Sequence, residues 1–337
     1  MKPIGVLGAG AWGTALAVHA ARRGAPVRLW ARHAELAERM RRERVNALYL
    51  PDVELPAGVE PTAEMGDLLE SDLVLLVVPS HGFRAVLRDF LRLWPRERPL
   101  VMVSGTKGVE TDTLARMSQV AFEEGMAADR EVRFAVLSGP SFAAELARGM
   151  PTAAVVAAED GELARTVRDA LAGSTLRLYS SPDVPGVELG GAAKNVIAIA
   201  AGAAAGMGLG HNSLAALITR GLHEITRLGL AYGGQARTFA GLAGLGDLVL
   251  TCTGGLSRNR RTGEELAAGR SLAEIQGATP FVAEGVRNAM AIARLAAARG
   301  VEMPITQQMA AVIYDGKEPR RAVEELMTRE PKSEAEI

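Results

Sequence analysis

The chain has 337 residues, too many for one typical domain and comfortable for two, and 48% of them are apolar, enough to bury a sizeable core. A formal net charge of -1 excludes a global field favouring nucleic acid or a membrane surface, so any anion site must be local. The single cysteine, Cys252, excludes an internal disulfide and suits a reducing, cytoplasmic compartment.

The N-terminus enters a strand pattern at once, at residues 4–7, with no signal peptide before it. A glycine-rich turn and a helix over 14–23 follow, then a second strand at 27–30. Residues 73–78 form a purely apolar run ending at Pro79, as expected of a strand covered on both faces, and 100–103 and 134–137 repeat that form. Strands alternating with helical segments predict an α/β fold, a Rossmann-type doubly wound parallel sheet over residues 1–180. The strand signal fades after Val155, apart from a last strand at 176–179. Residues 180–186 read as a linker. Alanine-rich helical stretches at 192–206, 214–231, 263–268 and 283–298 predict an all-α domain over 181–337, with a frayed polar tail from Arg329. Residues 190–209 are apolar except for Lys194 and Asn195. Their length approaches a bilayer span, but the Ala/Gly composition and the internal charge predict a buried helix and no integral membrane segment.

Gly8-Ala9-Gly10-Ala11-Trp12-Gly13 matches G-x-G-x-x-G in the context the motif requires, after a strand and opening a helix. Gly8 permits the tight turn, Gly10 lets backbone approach a pyrophosphate, and Gly13 permits close helix-to-strand packing. The helix N-terminus offers free N–H groups and a positive dipole end. At the end of the second strand an NAD enzyme usually carries Asp or Glu for the ribose 2′-hydroxyl. Here the sequence is Trp30-Ala31-Arg32-His33, with no acid before Glu35. Arg32 suits a 2′-phosphate, predicting that NADP(H) serves at least as well as NAD(H); the plain alternative is an exposed loop arginine. Pro79-Ser80, for which a structural proline turn is the alternative, Ser104-Gly105-Thr106-Lys107-Gly108 and Ser138-Gly139-Pro140-Ser141-Phe142-Ala143 all follow strands and should converge on the same sheet edge.

Only five of the 38 basic residues are lysine, so Lys194 inside an apolar helix asks for an explanation. Hydride transfer to a ketone leaves a developing alkoxide, and a desolvated lysine can protonate and stabilise it. The other reading is a lysine whose stem is buried and whose head reaches solvent. Asp247, among glycines, can position a lysine or simply cap a helix. Ser257-Arg258-Asn259-Arg260-Arg261 precedes a helix from about Thr262, where cations are unfavourable unless an anion binds; a solvated basic face is the alternative. The histidines show no metal-ligand spacing, and no metal is predicted. Cys252 reads as a packing residue.

Gly8 to Ala15, Gly105 to Gly108, Ser138 to Ala143, Ala193-Lys194-Asn195, Leu245-Gly246-Asp247-Leu248 and Ser257-Arg258-Asn259, in this order, resemble bacterial NAD(P)-dependent glycerol-3-phosphate dehydrogenases over almost the entire chain. The resemblance implies reversible reduction of dihydroxyacetone phosphate to sn-glycerol 3-phosphate, with Lys194 as catalytic acid/base. It implies substrate contacts from Lys107, Gly139, Ser141, Asp247, Ser257, Arg258 and Asn259, the last two on the phosphate. It implies cofactor contacts from Ala11, Trp12, Arg32, His33, Tyr49, Lys107, Ala143, Arg258, Val282 and Glu284. The family often has serine where this chain has Ala11, a position whose contribution is a backbone N–H. A homodimer and a supply of glycerol phosphate for phospholipids are also implied. Two alternatives remain: a β-hydroxyacid dehydrogenase, which also uses a helix-borne lysine, and a non-catalytic NADP-binding sensor, which has no need of Lys194. A sugar-nucleotide dehydrogenase needs a thiol nucleophile, for which Cys252 is the sole and poorly placed candidate.

Overall fold

The computed structural model describes residues 2–278, 283–331 and 333–334. The chain forms two compact units. The first runs from the N-terminus to Lys107 and resumes over Ala115–Val184; the second takes Gly108–Leu114 and everything from Pro185 onward.

The first unit is built on β1 (Ile4–Leu7), β2 (Val27–Trp30), β3 (Val45–Asn46), β4 (Leu50–Glu54), β5 (Val59–Thr62), β6 (Leu73–Leu76), β7 (Leu100–Ser104), β8 (Val132–Ser138), β9 (Thr152–Ala157) and β10 (Leu176–Ser181). Eight of them form one sheet in the order β10-β9-β8-β7-β6-β1-β2-β5, and β3 and β4 form a separate hairpin. The helices are α1 (Ala11–Arg22), α2 (Ala34–Glu43), α3 (Ser80–Leu93), α4 (Met117–Ala128), α5 (Ala143–Ala147) and α6 (Gly161–Leu171). β1 and β6 are buried along their whole length, which is why they read as unbroken apolar runs. The chain leaves β1 toward β2 on one side and returns to β6 on the other. The strand order therefore reverses at the C-terminal end of β1, the place where open α/β sheets bind ligands.

The sheet departs from the wholly parallel expectation at one pairing. β9 runs antiparallel to β8 and parallel to β10. Between β8 and β9 the only helix is the five-residue α5, which packs against α1 instead of carrying the chain back across the sheet. β9 lies where the apolar pattern thins, because three of its six residues are alanine. β5 is hidden by Pro61, which an edge strand tolerates.

The second unit contains α7 (Val184–Gly206), α8 (His211–Ala231), α9 (Ala236–Phe239), α10 (Asp247–Thr253), α11 (Arg258–Ala267), α12 (Leu272–Gly277), α13 (Glu284–Ala298), α14 (Pro304–Tyr314) and α15 (Pro319–Met327). α7 is the central element. It is long and apolar enough to cross a membrane, yet 89% of its most apolar window is buried inside the protein, as the alanine-rich composition predicts. Residues 180–186 hold the passage from the first unit to the second, after Val184, but in regular structure: β10 runs to Ser181, and Val184, Pro185 and Gly186 are the first turn of α7, where a proline loses no hydrogen bond. The excursion Gly108–Leu114 belongs to this unit. Val109 is buried in its core, and the Thr111 carbonyl accepts from Arg294. Glu224 of α8 is also buried; its carboxylate accepts from the backbone N–H groups of Ile305 and Thr306 and from the Thr306 hydroxyl. It thus caps α14 from another helix. Burial pushes its carboxyl up to about 7, although those donors pull the other way.

Candidate dinucleotide and catalytic sites

In the first unit the three glycines of the N-terminal loop answer three different demands. Gly8 has φ +120°, and a Cβ there would lie 2.3 Å from the Val77 carbonyl oxygen. At Gly13 a Cβ would lie 1.9 Å from the Gly8 carbonyl oxygen, so α1 packs directly on the loop. Gly10 is the opposite case: nothing lies within 4 Å of its Cβ position. Nothing in the chain demands glycine there, and the open space over its backbone is what close approach of a pyrophosphate would need. Gly10 also N-caps α1 without a side-chain bond, leaving the first N–H groups of α1 uncapped by any side chain of their own turn. These features fit a dinucleotide. α1 begins at Ala11, so Ala11, Trp12 and Gly13 form its first turn, earlier than the pattern predicts.

Asn46, which sequence reasoning missed, holds this loop. It is fully buried, and its Nδ2 donates to the Ala9 carbonyl at 2.9 Å and to Thr14 Oγ1 at 2.8 Å. Its own Oδ1 accepts from the Tyr49 N–H at 3.2 Å, which places Tyr49 in the turn between β3 and β4. Arg32 and His33 are exposed at the end of β2, with His33 at the N-cap of α2. Ala143 opens α5.

The loops after β7 and β8 meet. Lys107 Nζ donates to the Gly139 carbonyl at 2.9 Å, and Ser141 Oγ donates to the same oxygen at 2.9 Å. Gly139 has φ +139°, and a Cβ would sit 2.9 Å from Ala154 Cα. Trp12 leans over Gly105, with Nε1 at 3.1 Å from the Gly105 Cβ position. The structure thus brings Trp12, Gly105, Lys107, Gly139 and Ser141 to one edge of the sheet.

In the second unit Lys194 is not a snorkelling lysine. Its side chain is 7% exposed, and Nζ lies 2.9 Å from Asp247 Oδ1, itself 2% exposed. Nζ also donates to Thr251 Oγ1 at 2.6 Å, and that hydroxyl donates onward to the Asp247 backbone carbonyl at 2.6 Å. A carboxylate against a buried ammonium favours the charged form. Asp247 is the first residue of α10, directly after a π-helical turn at Leu242–Gly246, and its carboxylate serves Lys194 instead of capping the helix. Cys252 lies beside this cluster. Burial pushes its thiol up to about 12, against the pull of the Lys194 charge, so it is no nucleophile at neutral pH.

The basic run begins the helix instead of preceding it. Ser257 caps α11, accepting from the Arg260 N–H at 3.2 Å, and Arg258 is the first helical residue. Arg260 and Arg261 pair one turn on with Glu264 at 2.9 Å and Glu265 at 3.3 Å. The solvated-face reading describes these two arginines. Arg258, exposed at the positive end of the helix, keeps the anion reading. Asn259 is buried; its Nδ2 donates to Asn195 Oδ1 at 2.9 Å, and its Oδ1 accepts from the Gly285 N–H at 2.9 Å. Glu284 opens α13, and Val282 lies outside the described residues. Among the described residues, no three His, Cys, Asp or Glu side chains cluster as a metal site.

A dinucleotide-binding sheet in one unit and a buried lysine–aspartate pair in a helical second unit define the class: a nicotinamide-dependent oxidoreductase. The profile of the NAD-dependent glycerol-3-phosphate dehydrogenase N-terminus matches residues 3–164, and that of the C-terminus matches 183–324. The chain is 53% identical over 333 residues to a glycerol-3-phosphate dehydrogenase [NAD(P)+] of Koribacter versatilis, covering 98% of each chain. It is 51% identical over 335 residues to the protein of that name in Geobacter sulfurreducens, again covering 98% of each. The crystal structure of glycerol-3-phosphate dehydrogenase from Coxiella burnetii superposes with a TM-score of 0.92 at 40% identity, covering 97% of this chain and 99% of that one. The chain belongs to the NAD-dependent glycerol-3-phosphate dehydrogenase family and uses NAD or NADP.

Proposed function

We propose that this enzyme interconverts dihydroxyacetone phosphate and sn-glycerol 3-phosphate with Lys194 as its acid/base. The observation that carries this reading is the buried contact of Lys194 with Asp247 and Thr251. When bound, the nicotinamide supplies or accepts the hydride. As the ketone carbon gains that hydride, the carbonyl π electrons move onto oxygen, and Lys194 Nζ gives the oxygen its proton. Asp247 keeps the lysine charged and aimed beforehand, so little reorganisation is needed as the charge develops. In the reverse direction the neutral amine takes the hydroxyl proton. Lys107, Gly139, Ser141, Asp247, Ser257, Arg258 and Asn259 are assigned to the substrate, with Arg258 and Asn259 on its phosphate. Gly8, Gly10, Ala11, Trp12, Gly13, Arg32, His33, Tyr49, Ala143 and Glu284 are assigned to the cofactor, together with Lys107 and Arg258.

The exposed Arg32, with no acid beside it at the end of β2, supports use of NADP(H) as well as NAD(H). A homodimer, a cytoplasmic setting and a role in phospholipid synthesis complete the proposal. The test is oxidation of NADPH and NADH with dihydroxyacetone phosphate. Lys194→Ala is expected to bind NADPH as the parent does and to lose turnover, and Arg32→Ala to lose affinity for NADPH selectively. Parental turnover by Lys194→Ala would overturn the mechanism. Activity on 3-hydroxy carboxylates, with none on dihydroxyacetone phosphate, would overturn the substrate.

A further inference from the structure

α7 and α11 touch backbone to backbone. A Cβ at Gly202 of α7 would lie 1.8 Å from the Arg260 carbonyl oxygen of α11, and a Cβ at Gly263 of α11 would lie 1.9 Å from the Ile199 carbonyl oxygen of α7. The contact is reciprocal. On each helix the glycine and the carbonyl are three residues apart, so each helix inserts a carbonyl into the notch of the other. The same faces continue to Gly206, whose Cβ position is 2.8 Å from Ala267 Cβ. At the other end they reach the hydrogen bond between Asn195 and Asn259. Lys194 is on α7 at that end, and Ser257, Arg258 and Asn259 are the cap and first residues of α11.

We infer that Gly202 and Gly263 are positioning residues, which set the spacing between Lys194 and the phosphate-binding start of α11. This rests on the proposed roles of Lys194, Arg258 and Asn259. In dihydroxyacetone phosphate only three bonds separate the carbonyl carbon from phosphorus. A substrate that short cannot absorb a shift between the group that protonates its oxygen and the groups that hold its phosphate. A methyl at Gly202 requires the backbones to part by about 1.6 Å to reach an ordinary contact, and at Gly263 by about 1.5 Å. A methyl at Gly206 requires about 0.6 Å. The Asn195–Asn259 hydrogen bond, 2.9 Å long, does not survive the larger displacements.

The experiment compares Gly206→Ala, Gly263→Ala and Gly202→Ala with the parent on dihydroxyacetone phosphate and on unphosphorylated dihydroxyacetone. The ratio of the two kcat/KM values does not depend on how much of a preparation is folded. The ratio is expected to fall in the order given, reaching about 100-fold for the two notch glycines, the cost of a misplacement near 1 Å. The Kd for glycerol 3-phosphate is expected to rise in the same order, independently of turnover. Equal losses on both substrates with an unchanged Kd would reduce the glycines to fold residues and overturn the inference. Should the two notch variants fail to fold, Gly206→Ala decides it by the same ratio and Kd. A parent inactive on dihydroxyacetone phosphate would sink the proposed function instead.

Discussion

Replacing Asp247 by alanine tests what the buried pair contributes. In the parent, Lys194 Nζ lies 2.9 Å from a carboxylate oxygen, in surroundings that leave its side chain 7% exposed. Removing one partner of a buried ion pair costs about 3 to 5 kcal/mol, because the other charge stays desolvated. A second route gives a ceiling. A lysine with a reference value of about 10.4 can shed its proton at pH 7 for about 4.6 kcal/mol, at about 1.36 kcal/mol per pH unit. The two agree on a loss of about 4 kcal/mol at pH 7, shrinking below about 2 kcal/mol at pH 9. The sign follows from proton counting. In the variant the unfolded chain keeps this lysine protonated to a higher pH than the folded one, so stability rises with pH. Urea unfolding of parent and variant at pH 7 and pH 9 measures both values. In turnover the variant has no carboxylate to hold the ammonium form. The kcat/KM for ketone reduction should fall by about 10² to 10⁴, and the alkaline limb of its pH profile, where the ammonium form is lost, should move to lower pH. A variant as stable as the parent at pH 7, with an unmoved alkaline limb, would refute the argument.

Gly10→Ala and Gly13→Ala should separate binding from folding. The first meets open space, so it should cost under about 1 kcal/mol of stability yet weaken NADPH binding by more than about tenfold. The second meets the Gly8 carbonyl and should lower Tm and cofactor affinity together, as a thermal melt with a fluorescence titration would read. Asn46→Ala removes two buried hydrogen bonds from the glycine loop; we expect a loss of about 2 kcal/mol in urea unfolding and a raised Kd for NADPH. Glu224, pushed up to about 7, takes up a proton on folding; its contribution is present at low pH and lost as pH rises through 7. The stability of the parent relative to Glu224→Gln should therefore decline between pH 5 and pH 8, by about 3 kcal/mol at most, and a flat difference would contradict this.

The parts legible in the sequence were those where one residue type answers one physical need. The glycine loop was readable because Gly8, Gly10 and Gly13 are each required at fixed spacing. Lys194 was readable because a charge within an apolar run must have a partner. Thr251 was missed, although the signal was present: it lies four residues after Asp247, one helical turn on, where a hydroxyl meets whatever Asp247 meets. Asn46 carried no such signal, since a polar residue beside a short hairpin is ordinary until the fold buries it. β9 escaped because alanine is as common in helices as in buried strands, and β5 because Pro61 argues against a strand unless the strand lies at an edge. α11 starts earlier than the sequence pattern suggests, because arginines at a helix N-terminus look like a flank; a serine cap and two one-turn ion pairs make them a stable first turn.

The excursion Gly108–Leu114 gives the chain three crossings between its units: after Lys107, after Leu114 and after Val184. A single cut therefore cannot separate the two units cleanly. A fragment ending at Val184 carries Val109 with the core it fills left behind, and a fragment starting at Pro185 has a hole where Val109 belongs. Although each unit has its own core, neither is an inheritable module. A recombination event, a protease nick or a cloning boundary near Val184 should yield two poorly folded pieces, and swapping the helical unit between relatives would require moving the seven-residue segment with it.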